Sequence, residues 1–214
     1  MIIIKILAKI LSRIIFRIKF YGEKNIVYEG PVIICANHIS IWEPIILYLN
    51  YPREIIFMSK KELFEKPLLG TLLRKLNMIS VDRDKPELST IKKSLSVLKD
   101  NMALGIFPQG TRKKNIDDND GKAGVGLIAY KSDAPIQPVY FESSYKPFSK
   151  VKIVIGEPFC AEKNDEIPPK ELYEILGKEI MLKIKELSNE SNISWWVRFL
   201  LWCKKILWNG SFKC

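Results

Sequence analysis

The sequence predicts an α/β fold, a single-domain αβα sandwich around a mixed, largely parallel sheet, preceded by an amphipathic helix. Three observations lead there. Short β-type apolar runs alternate with helix-type segments, the pattern of a sheet covered on its faces by helices. At 214 residues with 47% hydrophobic side chains, the chain can bury one sizeable core, whereas two domains would each fall near the small end of the stable range. At the N-terminus Lys5, Lys9, Arg13 and Arg17 recur every four residues among Ile, Leu, Phe and Ala, which is a helical stripe.

The first 19 residues are therefore expected to form an interfacial helix, residues 20–190 the sandwich, and residues 191–214 a basic, Trp-rich interfacial segment. Within the sandwich, strands are predicted over 31–36, 54–58, 78–81, 103–107, 136–141 and 151–155, each short and rich in Ile, Val or Phe. Helices are predicted over 44–49, 67–76, 87–99 and 125–130. Pro44 and Pro67 both suit a first helical turn. Leu172, Ile175, Leu176, Ile180, Ile184 and Leu187 give residues 165–189 the spacing of a long amphipathic helix closing the domain. The loop over 113–122 is the most polar stretch.

Charge is unevenly distributed. Lys and Arg exceed Asp and Glu by ten, and almost all of that excess lies in the first 22 and last 24 residues, which contain no acid. Basic side chains embedded in apolar helix, with Trp195, Trp196, Trp202 and Trp208 among them at the C-terminus, point to an anionic membrane surface. They argue against nucleic acid, which needs a polar, basic groove. No run of about 18 uncharged apolar residues suggests a spanning helix, and no small-residue cleavage site suggests a signal peptide. Four scattered cysteines without CxxC spacing, beside a single histidine, give no metal set and predict separate thiols in a reducing compartment.

His38 is the one histidine and so the natural general base near neutral pH. Glu43 follows it by five positions, where the pattern predicts that a strand gives way to a helix, and its carboxylate can hold one ring nitrogen while the other takes a proton. A second reading of the same residues is a capping box, Ser40-x-x-Glu43, tying down a helix start. The block Phe107-Pro108-Gln109-Gly110-Thr111-Arg112 can be a simple turn with Pro second and Gly fourth. Gly110, Thr111 and Arg112 can equally bring backbone N–H groups and a guanidinium fork onto a phosphate. Arg83, between Asp82 and Asp84, reads by itself as a solvated ion-pair residue, worth little. Cys35 precedes His38 by three, inside a strand, and reads as a small buried hydrophobe. Gly124 to Ala129 matches GxGxxA, but no strand precedes it as a dinucleotide site requires.

Taken together, Asn37-His38 with Glu43, the Phe107–Arg112 block, Val81-Asp82-Arg83-Asp84 and Pro135-Ile136-Gln137-Pro138-Val139 resemble, in content and order, the 1-acylglycerol-3-phosphate acyltransferase family, with its N-H-x4-D and F-P-E-G-T-R signatures. The likeness spans roughly residues 20–160. It departs from the family at Glu43, usually Asp, and at Gln109, usually Glu. The resemblance implies transfer of an acyl group from an acyl carrier protein or coenzyme A thioester to lysophosphatidic acid, giving phosphatidic acid for phospholipid synthesis, at the cytoplasmic face of the membrane. By the same likeness His38 and Glu43 are catalytic, Arg83, Gly110, Thr111 and Arg112 hold the acceptor phosphate, Asn37 and Gln109 line the acceptor site, and the 135–139 block lies near a substrate pocket. No metal or bound cofactor is implied. Another lysolipid acceptor, or an inert lipid-binding protein of the same fold, are the competing expectations.

Overall fold

The computed structural model describes residues 2–82, 88–113 and 115–192, without the side chains of residues 2, 4 and 190–192. The chain runs α1 (Ile2–Ile15), β1 (Arg17–Tyr21), β2 (Val32–Ala36), α2 (Trp42–Asn50), β3 (Ile55–Lys60), α3 (Lys61–Phe64), α4 (Pro67–Lys75), β4 (Ile79–Val81), α5 (Leu88–Lys99), β5 (Ala103–Ile106), α6 (Ala123–Ser132), β6 (Ile136–Glu142), β7 (Lys150–Ile155) and α7 (Pro169–Asn192). A seven-stranded sheet in the order β1-β7-β6-β2-β5-β3-β4 forms the middle layer. Every pairing is parallel except β6 with β7, so the sandwich and its mixed, largely parallel sheet are as expected.

Strand alternation builds two cores. Val32, Ile34 and Ala36 of β2 join Phe16, Ile46, Leu47 and the β7 residues Val151, Ile153 and Ile155 under α1 and α2. Ile33 and Cys35 point the other way, to Leu98, Ile128, Ile180 and Ile184 of α5, α6 and α7. β2 is buried on both faces, which is why it reads as a continuous apolar run rather than an alternating one. Of the two glycines in the failed dinucleotide match, Gly126 serves helix packing. A Cβ on Gly126 would lie 2.1 Å from the Tyr173 carbonyl oxygen of α7, so only glycine lets α6 approach α7 so closely.

The N-terminal segment departs from the expectation. The helix expected over 1–19 ends at Ile15 and Arg17–Tyr21 is an edge strand, because Ile18 and Phe20 can reach the core only by strand alternation. Arg17 thus leaves the cationic stripe. Two other members of that stripe are tied to α2: the Lys5 ammonium lies 4.4 Å from the Tyr48 ring centre, and Arg13, though exposed, donates from Nε to Asn50 Oδ1 at 2.9 Å. Apart from Arg13, the exposed positions of α1 are apolar: Ile3, Ile6, Leu7, Ile10, Leu11 and Ile14. Among the described residues no helix is long and apolar enough to cross a membrane. The Trp-rich segment 191–214 lies essentially outside the described residues. Cys35 is a free buried thiol whose burial pushes its pKa up.

Candidate active site

β2, β3, β4, β5 and β6 all end at one edge of the sheet, and the loops leaving β2 and β5 meet there because those strands pair in register, Cys35 beside Ile106. This single pairing brings His38 and the Phe107–Arg112 block together across 70 residues of chain. Crevices at the carboxyl ends of strands, where successive connections diverge to opposite sides, are the usual sites of α/β sheets. Here β2 connects through α2 toward β3, while β5 connects through α6 back to β6.

His38 and Glu43 form a buried pair. His38 Nδ1 stands 2.7 Å from Glu43 Oε2, with His38 9% and Glu43 0% exposed. A carboxylate accepts only, so Nδ1 carries the proton and donates it, leaving the Nε2 lone pair free. Among the described residues Nε2 has no protein partner. Glu43 is held in turn by the backbone N–H groups of Ser40, at 2.8 and 2.9 Å to its two oxygens, and of Ile39, at 3.1 Å to each. Glu43 therefore both caps the start of α2 and orients the imidazole. The two readings of the sequence were not exclusive. Pro44 does not oppose the cap, because α2 begins at Trp42 and Pro44 is its third residue, still within the first turn where no intrahelical N–H bond is lost.

The ring and backbone of His38 are fixed as well. Phe107 stacks on the imidazole at 4.2 Å between ring centres and 22° between planes. The His38 N–H donates to Gln109 Oε1 at 3.0 Å, and its carbonyl accepts from the Lys113 N–H at 2.7 Å. Gln109 reaches back because Phe107 to Gly110 form the anticipated turn, with the Gly110 N–H donating to the Phe107 carbonyl at 3.0 Å and Gly110 at φ 68°, a conformation that favours glycine. The other end of the Gln109 side chain donates to the Asn115 carbonyl at 3.2 Å and to Asp120 Oδ2 at 3.3 Å. Asp120 also pairs with Lys113, and that hydrogen bond holds its carboxyl below the usual range. An amide suits Gln109's place, since one end needs an acceptor and the other a donor.

The remaining predicted residues divide. Gly110 is half-buried, Thr111 and Arg112 are exposed, and the Arg112 guanidinium has no carboxylate partner among the described residues. The Thr111 and Arg112 N–H groups likewise lack protein acceptors there, leaving this rim open to an anion. Arg83 lies outside the described residues. Its neighbour Asp82 follows β4, three strands from β2, or about 14 Å at the usual strand spacing. Asn37 is used structurally: its Nδ2 donates to the Phe141 carbonyl at 3.0 Å and its Oδ1 accepts from the Phe141 N–H at 2.7 Å, extending the β2–β6 pairing by a side chain. Gln137 of the 135–139 block is fully buried and bonded at both ends, from Val27 N–H and Tyr51 hydroxyl to Oε1, and from Nε2 to the Asn25 and Gly156 carbonyls.

Two contributors were not visible in the sequence reading. Phe107 ends a predicted strand and heads the Phe107–Arg112 block, but the sequence gives its ring no role of its own. Tyr145 had no signal. It sits in the β6–β7 loop at φ 53°, edge-on to Phe16 at 6.2 Å. Its hydroxyl is buried against the Glu43 carboxylate without completing a hydrogen bond, and burial, with that negative neighbour, pushes its pKa up.

A family model described as Acyltransferase matches residues 17–142, a span that holds His38, Glu43 and the Phe107–Arg112 block. The chain belongs to the acyltransferase family. It is 33% identical over 179 residues to the 1-acyl-sn-glycerol-3-phosphate acyltransferase of Bacillus subtilis, covering 81% of this chain and 89% of that protein. The Helicobacter pylori protein of the same name is 32% identical over 171 residues, covering 74% and 72%. Among solved structures, the 1-acyl-sn-glycerophosphate (LPA) acyltransferase PlsC of Thermotoga maritima superposes with a TM-score of 0.64 at 22% identity, covering 89% of this chain and 79% of that one. That likeness is one of fold.

Proposed function

We propose that this acyltransferase moves a fatty acyl group from a thioester donor to the free hydroxyl of lysophosphatidic acid, forming phosphatidic acid. The observation that carries the reading is the buried His38–Glu43 pair with Nε2 open, in a chain whose relatives are named for this acceptor. Nε2 takes the hydroxyl proton as the oxygen attacks the thioester carbonyl. The tetrahedral intermediate collapses, the C–S bond breaks, and the imidazolium returns the proton to the departing sulfur. Glu43 keeps Nδ1–H fixed and stabilises the imidazolium that forms between the two steps. No metal or bound cofactor enters this sequence, and the donor is consumed as a substrate.

The acceptor phosphate is assigned to the rim formed by Gly110, Thr111 and Arg112, with Arg83 as a further ligand. The exposed, unpaired Arg112 supports this, since a fork of N–H donors binds phosphate in bidentate fashion. Membrane contact is assigned to α1. Its exposed Ile and Leu side chains suit the headgroup boundary, with the bilayer's cytoplasmic face as the site of action. Because Lys5 and Arg13 are engaged with α2, apolar burial contributes more to this contact than attraction to anionic lipid. The test is His38→Ala, assayed with lysophosphatidic acid and acyl thioester. Turnover should fall by about 100-fold or more, the usual worth of a general base, with the thermal midpoint retained. Near-normal turnover would refute the mechanism.

A further inference from the structure

The open end of the sheet carries charge that the catalytic site does not use. β1 is the edge strand, and Arg17, Lys19 and Tyr21 stand exposed on one of its faces. Parallel register sets Arg17 beside Lys150 and Lys19 beside Lys152 on β7, and these side chains line one shallow groove with Glu142. Like charges directly across adjacent strands repel, so the pairing costs stability in the free protein. Glu142 relieves Lys152 at 3.4 Å. Lys19 and Lys150 have no acidic partner among the described residues, so the groove keeps a net positive charge that an external anion would complement.

The face on which the groove lies decides between anions. Ile18 and Phe20 of β1 enter the core beneath α1, so the cations stand on the opposite side of the sheet from the α1 apolar stripe. A bilayer that receives α1 leaves them in water. A small nucleotide is held where concave walls bury most of its surface. Here the cations rise from a flat strand pair, spaced about 4.8 Å across and 6.6 Å along the strands. Carboxylates at i, i+3 and i, i+4 on a helix repeat at about 5–6 Å and fit that grid. Arg17 and Lys150 begin their strands at the catalytic edge, three and two strands from β2 respectively, or about 14 and 10 Å, distances an extended pantetheine arm spans.

We propose that this groove docks an acidic, helical carrier protein that presents the acyl group as a phosphopantetheine thioester, an inference that rests on the acyl-transfer reading above and names its donor. The test uses the full chain carrying Lys19→Glu and Lys150→Glu. Titration with acyl-free holo acyl carrier protein should show binding weakened at least tenfold, and the salt dependence of the wild-type protein lost, as expected when steering charges are removed. With acyl carrier protein as donor kcat/KM should fall at least tenfold, whereas acyl-pantetheine, which has no carrier, should be used as before. Lys19→Gln with Lys150→Gln, which removes the repulsion and should not lower the thermal midpoint, should show the same selective loss. Unchanged carrier binding, equal loss on both donors, loss confined to acyl-coenzyme A, or loss confined to vesicle retention would each overturn the assignment. Carrier binding is read without turnover, so a wild-type protein that failed to acylate lysophosphatidic acid would defeat the functional reading and leave the groove still on trial.

Discussion

Glu43→Gln separates orientation of the imidazole from capping of α2, because it changes almost nothing in volume while removing the charge. Both carboxylate oxygens of Glu43 are occupied, one by His38 Nδ1 at 2.7 Å and both by the Ile39 and Ser40 N–H groups. An amide cannot satisfy that set. With its oxygen toward His38, the NH2 group meets two backbone donors. With its NH2 toward His38, it donates to Nδ1 and forces the proton onto Nε2, which then cannot accept one from substrate. Losing a charge-assisted bond to a buried group costs about 1.5–3 kcal/mol, and at about 1.4 kcal/mol per decade of rate that alone is roughly 10- to 150-fold. Trapping the wrong tautomer adds to it, as in Ser-His-Asp enzymes, where the comparable exchange costs about 10⁴ in kcat. Initial rates with saturating donor and acceptor should therefore show kcat reduced by at least about 100-fold, with KM little altered. Circular dichroism should show the protein folded. Glu43→Asp, which keeps the charge but shortens the reach, should retain more activity than Gln. A Gln variant within about threefold of wild-type kcat would show that Glu43 serves only the backbone cap.

Gln109→Glu should destabilise the protein by about 1–3 kcal/mol, because the new carboxylate oxygen would face the Asn115 carbonyl and Asp120; combining it with Asp120→Asn, which supplies a donor, should recover most of that loss in denaturant titration, and additive losses would contradict this account. Asp120 titrates below the usual carboxylate range because of Lys113, so its contribution is complete above an unfolded value of about 3.9 and disappears as pH falls through the lower folded value; the Gln109 side-chain amide resonances should hold from pH 7 to about 5 and move only in more acid solution. Leu7→Ser with Leu11→Ser, at positions 60% and 56% exposed, should leave the thermal midpoint unchanged while reducing retention on vesicles by about 10- to 100-fold, since burying a Leu side chain is worth about 1.5–3 kcal/mol in full and less at partial depth. Arg112→Ala should raise acceptor KM and leave donor KM alone, and equal activity on phosphorylated and unphosphorylated acceptors would remove the rim from the phosphate site.

The strands that were legible in the sequence are those buried on at least one face by their own composition, such as Val32–Ala36 and Ile136–Glu142. Arg17–Tyr21 was not legible, because alternating cations and apolar residues over five positions fit the tail of a preceding amphipathic helix as well as an edge strand, and only pairing with β7 decides between them. His38 and Glu43 were legible because both lie on one short segment, where local geometry limits how far apart they can be. Their tie to Gln109 was not derivable from the chain alone, since it depends on β2 and β5 being neighbours in the sheet, and a strand carries no mark of the partner it will choose. Asn37 is the converse case: the likeness assigns it to the acceptor site, and the fold uses both ends of its amide to continue a ladder. Cations repeating every four residues determined that α1 is amphipathic, but not which side faces out. That was decided by Tyr48 and Asn50 on α2, which engage Lys5 and the exposed Arg13 and leave most of the isoleucines and leucines to solvent, because periodicity defines a face and only the packing partner defines its direction.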